Sequence, residues 1–201
     1  MKKYLTLLFA IVFLLAGCSK KDEGEVIEKP IILEVGQKVE LESVTGAKLI
    51  FKRIEGGLVL DGDENKIIIV DIFGTFCEPC KREAPALMKL QLDYMDKLML
   101  VGLSYFENVT NEYIVEKFSK PYNAYYFIAA NSEKNKALVD TILHDISFKS
   151  IPLLPFKVVI NKGKYEFVTD IWEKRNDTKY YVGDIGTSII REDIDKILSK
   201  N

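Results

Sequence analysis

Between Ile31 and Leu60 the chain is a series of short apolar pieces, "IILEV", "KVELESV", "KLIFKRI" and "GLVL", separated by Gly36, Gly46 and the pair Gly56 and Gly57. That punctuation predicts a small set of β-strands. After the turn "DGDENK", residues 67–73, "IIIVDIF", are β-branched and apolar on both faces, the pattern of a central strand covered on both sides. Pro79 then opens a helix, predicted to reach about Asp96 through Leu87, Leu90, Leu92 and Met95. "KLMLVGLSY" reads as a second buried strand, 111–120 as an amphipathic helix, 124–130 as a strand and 132–145 as a helix capped by Ser132. "FKVVIN" (156–161), the turn "NKGK" and "YEFVTDIW" predict a β-hairpin, and 188–200 an amphipathic closing helix. Parallel strands alternating with helices, then an antiparallel hairpin and a last helix, define an α/β fold. Its central β-sheet is mixed, helices cover both faces, and a short β extension precedes it.

The first residues do not fit this domain. Lys2 and Lys3 precede an unbroken apolar stretch, Tyr4 to Ala16, which is too short to span a membrane comfortably and reads as a secretory signal. "LLAGC" resembles the lipobox of bacterial lipoproteins, which implies cleavage after residue 17 and acyl chains on Cys18. Residues 18–30 are charged, poor in apolar side chains and closed by Pro30, as a tether is. The expected organisation is therefore a signal peptide (1–17), a lipidated cysteine with its tether (18–30) and one domain (31–201), lipid-anchored outside the cytoplasm.

Composition narrows the function. The 201 residues carry 28 basic and 30 acidic side chains, a formal charge of −2 that becomes more negative once Lys2 and Lys3 leave with the signal, so nucleic acid is not an expected partner. With Cys18 acylated, Cys77 and Cys80 are the remaining thiols, able to pair with each other or with a partner's cysteine. A structural staple across two intervening residues closes too small a loop to stabilise much. A zinc site would need four ligands, and beyond the pair the chain offers one histidine, His144, which ends a helix where its imidazole suits the dipole. No metal and no cofactor are expected. Trp172 and Tyr125, Tyr126, Tyr180 and Tyr181 read as packing residues.

The stretch "FGTFCEPCKREAP", with a strand before it and a helix after it, resembles the membrane-tethered thioredoxin-like thiol-disulfide oxidoreductases of the TlpA/ResA type. The likeness lies in the aromatic Phe76 before Cys77, the Glu-Pro between the cysteines, and Lys81, Glu83 and Pro85 after them. It continues in "LLPFKVVINKGK", where Pro155, six places before Asn161, takes the register of the family's proline, with Pro152 as its rival. The resemblance covers roughly residues 40 to 200. It implies a thioredoxin-like fold and a cis bond before Pro155. It also implies a client-binding surface formed by Phe76, Leu154 and Pro155, and a redox disulfide between Cys77 and Cys80. Two departures stand out: Phe73 and Phe76 replace tryptophan, and Asp71 stands where asparagine is expected in the closest relatives.

In that frame Cys77, at a helix start, is the nucleophile, because free backbone N–H groups and the helix dipole stabilise its thiolate. Cys80, one turn further, resolves the mixed disulfide, and Asp71 or Glu83 accepts its proton. Glu78 adds negative charge beside the thiolate, which favours the disulfide form and hence a reductant. The expected clients are protein disulfides, foremost the Cys-x-x-Cys-His site of apocytochromes c, with electrons from a membrane thiol carrier and the chain acting as a monomer. The competing expectations are a disulfide oxidase or isomerase of secreted proteins and a copper-binding assembly factor.

Overall fold

The computed structural model describes residues 29–200; the expected signal peptide, the expected lipidation at Cys18 and most of the expected tether lie outside the described residues. Eleven strands and four α-helices are seen among them. The central sheet has the order β11-β7-β4-β5-β6, formed by β4 (Ile67–Phe73), β5 (Leu98–Ser104), β6 (Phe127–Ala129), β7 (Phe156–Asn161) and β11 (Tyr181–Val182). β4 runs parallel to β5, and β5 to β6, while β7 is antiparallel to both β4 and β11. The mixed sheet expected from the alternation of elements is therefore present, in the thioredoxin-like arrangement that the resemblance implies.

The two-residue period of β4 separates the layers. Ile67, Ile69 and Phe73 face a core shared with α1 (Glu78–Asp93) and α4 (Thr187–Leu198), where Leu87, Leu90, Ile190 and Ile194 are fully buried. Ile68, Val70 and Ile72 face the other core, filled by Leu138 and Ile142 of α3 (Glu133–Asp145) and by Phe51 and Leu58 of the N-terminal strands. Those strands, β1 (Lys38–Glu42), β2 (Lys48–Ile54) and β3 (Gly57–Leu60), form a separate antiparallel sheet. It is fastened in two ways. A Cβ at Gly57 would lie 2.0 Å from the carbonyl oxygen of Gly163, so only glycine permits this approach. Buried Arg53 also donates to the Asp145 carboxylate at the end of α3, and Tyr165 donates to the same group at 2.9 Å.

Several elements differ from their sequence expectation. "IILEV" forms no strand; the Ile31 and Leu33 N–H groups instead donate to Asp140 and Thr141 of α3, each at 2.9 Å. α1 passes through Pro85 and stops at Asp93, three residues early. The helix expected over 111–120 is α-helical only in α2 (Asn111–Ile114) and then widens into a π-helical turn, Val115–Ser119. The predicted hairpin pairs only as β8 (Lys164–Tyr165), after which β9 (Val168–Asp170) leaves to pair with β10 (Arg175–Thr178). Tyr126 and Tyr181 are packing residues as expected, but Tyr125 and Trp172 are exposed.

Candidate active site

β4 ends at Phe73, and the next four residues deliver the cysteines to the start of α1. Gly74 leaves room for the Phe76 ring, which lies 2.6 Å from where a Cβ would stand and would have to swing outward to admit one. The Thr75 backbone N–H and hydroxyl both donate to the Glu107 carboxylate at 2.5 Å, tying this turn to the loop after β5. Cys77 occupies the N-cap of α1, and its sulfur accepts the Cys80 backbone N–H at 3.2 Å. Pro79 fits the first helical turn, where its missing N–H costs nothing. Cys77 and Cys80 are joined, with an S–S distance of 2.05 Å. Cys77 keeps 6% exposure and Cys80 1%, so an incoming group meets Cys77 first.

Around Cys77 lies an open apolar groove of about 470 Å³, lined by Phe76, Pro79, Phe106, Ile151, Leu153 and Leu154. Phe76, Ile151 and Leu153 are 59%, 79% and 73% exposed. The cis peptide bond lies between Leu154 and Pro155, not before Pro152. Glu78 does not act on Cys77 alone, because Lys81 stands 2.6 Å from its carboxylate.

Asp71 and Glu83 are brought to one buried site, Glu83 by the same helix that carries the cysteines. Asp71 lies on the α1 face of β4, and Glu83 is one helical turn after Cys80; both are buried. Between them sits Lys157, fully buried on β7 directly across from Asp71. Its ammonium donates to Glu83 Oε1 and lies 3.2 Å from Asp71 Oδ1, which accepts no hydrogen bond. Burial pushes both carboxyls up. For Asp71 the Lys157 charge only partly offsets this. Glu83 rises from 4.5 to about 7, Lys157 pulling it down and the Asp71 charge pushing it up. Burial alone would lower the Lys157 ammonium, but the two carboxylates outweigh it and hold the pKa above the usual range.

Sequence reasoning missed Lys157. Its one signal is a cation inside the otherwise apolar "FKVVIN", and alternation alone leaves its face undecided. The Thr75–Glu107 clamp was missed as well, for it joins residues 32 apart.

A thioredoxin-like α/β fold carrying a Cys-x-x-Cys disulfide at a helix N-terminus is thus defined by the chain itself. No protein-family model matches it. Among curated proteins it is similar to the thioredoxin-like protein YneN of Bacillus subtilis, 27% identical over 99 residues, 48% of this chain and 53% of the relative. The chain spans about half the length of the curated relatives it matches. Among solved structures, a thioredoxin-family thiol:disulfide interchange protein from Chlorobium tepidum TLS superposes with a TM-score of 0.53 at 16% identity, over 84% of this chain and 96% of that one. StoA from Bacillus subtilis gives 0.50 at 15% identity, over 79% and 96%. These likenesses establish the fold.

Proposed function

We propose that the protein is an extracytoplasmic thiol-disulfide oxidoreductase that reduces disulfides in client proteins. The observation that carries this reading is the placement of Cys77: at a helix N-cap, at the edge of an apolar groove, with Cys80 shielded behind it. The Cys77 thiolate attacks one sulfur of a client disulfide, forming a mixed disulfide and releasing the client's other sulfur as a thiolate. Cys80 then loses its proton to a buried carboxylate, and its thiolate attacks Cys77 Sγ. The Cys77–Cys80 disulfide forms and the second client sulfur leaves, so two electrons pass to the client. Phe76 and Leu154 receive the client chain beside Cys77, while Pro155, expected in that surface, is buried behind Leu154 and outside the groove lining.

The finer reading rests on the TlpA/ResA resemblance: lipid attachment at Cys18, oxidised apocytochrome c as client, and a membrane thiol carrier that returns electrons to the pair. YneN is named a thioredoxin-like protein and the Chlorobium protein a thiol:disulfide interchange protein, which fits the exchange chemistry and does not extend to the client.

The test is the reduction potential of the Cys77–Cys80 couple, measured on the full chain by equilibration with dithiothreitol or glutathione. A value at or below about −270 mV is expected of a reductant, whereas a value near about −120 mV would make the protein a disulfide donor. For the client, Cys80→Ser is expected to accumulate mixed disulfides in cells. Mass spectrometry of the trapped species that found secreted proteins but never an apocytochrome would remove that assignment.

A further inference from the structure

We propose that Lys157 joins Asp71 and Glu83 into one buried acid that holds a single proton, and that this shared site accepts the proton Cys80 gives up when it resolves a mixed disulfide. The inference rests on the thiol-exchange reading and makes Lys157 a positioning residue of that reaction.

The argument begins with a count of charges. Two carboxylates face one ammonium in a space sealed from water, with Asp71, Glu83 and Lys157 all buried. Fully ionised, the trio would carry a net negative charge without solvent, and such a charge is costly to bury. One proton retained on either carboxyl makes the cluster neutral while Lys157 stays charged between the two. The same geometry explains why burial lifts both acids, why the Asp71 charge raises Glu83 further, and why both carboxylates raise Lys157.

Among the described residues, Lys157 is the cation seen against these two carboxyls. Gly102 of β5 lies opposite Asp71 and carries no charge. Tyr126 presents a buried phenol without a hydrogen-bond partner; burial, then the Asp71 and Glu83 charges, hold it protonated. Tyr181 of β11 lies across from Lys157, but its hydroxyl is committed to Asp193 at 2.9 Å. Asp184 adds a push on Glu83 and is itself 3.5 Å from Arg82. On α1, Cys80 is one turn before Glu83, and Cys77 is its disulfide partner.

Resolution can be followed with dithionitrobenzoate and the reduced full-length chain. Cys77 attacks the reagent and releases one thionitrobenzoate. Cys80, its proton passed to the cluster, then attacks Cys77 Sγ and releases the second; two thiols are oxidised and one reagent disulfide is reduced. The rate of the second release should rise with pH about a midpoint near that of the cluster.

Removing the cation by Lys157→Met should move that midpoint up, by a pH unit or more, slowing the second release at neutral pH roughly tenfold. Lys157→Arg should restore it. Asp71→Asn should move the midpoint down, since one carboxylate then faces one ammonium, and Glu83→Gln should do the same. A merely structural role for Lys157 would not give shifts of opposite sign. A midpoint that stays put or falls in Lys157→Met, or one that rises in Asp71→Asn, overturns the proposal. If Lys157→Met does not fold, the two acid variants decide: one abolishing the pH-dependent phase while the other leaves it untouched would show a lone base and overturn sharing. A wild type that releases only one thionitrobenzoate would end the thiol-exchange reading itself.

Discussion

Single residues separate what the sequence discloses from what only the fold supplies. Asp71 is conspicuous as an acid within an apolar run, and its burial follows. Lys157 is not conspicuous, because a lysine in "FKVVIN" reads equally as a solvent-facing residue; only the β4–β7 register sets it opposite Asp71 and under α1. Register is tertiary information, absent from local pattern. Tyr126 carries a different consequence. Its buried hydroxyl lacks a hydrogen-bond partner, so folding leaves a polar group desolvated and uncompensated. Tyr126→Phe is therefore expected to leave stability unchanged or raise it by up to about 1 kcal/mol in denaturant unfolding. A loss of stability would show that the hydroxyl has a partner after all.

At the level of elements, the strands and helices with strong apolar periodicity were legible: β4, β5, β7, α3 and α4 lie within a few residues of their expected bounds. β10, "RNDT", has no apolar pattern, and it becomes a strand only because β9 supplies a pairing edge. "IILEV" shows the converse, its strand-like pattern overruled when α3 side chains take its N–H groups. The N-terminal sheet depends on Arg53, whose side chain and that of Asp145 are 10% and 7% exposed. Arg53→Ala leaves a buried carboxylate without its cation and should cost about 3–5 kcal/mol. Denaturant titration would check this, and a loss below about 1 kcal/mol would mean that the glycine contact and the Phe51 and Leu58 core hold the sheet without the ion pair.

For the molecule as a whole, the acid cluster makes stability depend on pH in an uncommon direction. Glu83 ionises near 4.5 when unfolded and near 7 when folded. Between those values the folded protein binds more protons than the unfolded chain, so stability falls as pH rises, by up to about 3 kcal/mol in all. Asp71, also raised, acts in the same sense. Asp193 acts in the opposite sense: burial would raise it, but bonds from Thr169, Lys196 and Tyr181 prevail and hold it low. The oxidised protein should accordingly be most stable in mild acid, and Glu83→Gln should flatten the decline. Denaturant midpoints at about pH 5 and about pH 8 for both proteins would check this, and equal slopes would remove Glu83 as the source.

The margins of the sheets have a further consequence. The central sheet ends in β6, three residues long, and in β11, only two. At the rim of the N-terminal sheet, β1 alternates its buried Val39 and Leu41 with Lys38, Glu40 and Glu42. Short edges and charged edges both deny a neighbouring strand the run of free N–H and C=O groups it would need to pair. Copies crowded together on a two-dimensional surface would thus collide without zipping into shared sheets, and the protein could be kept at high density without aggregating.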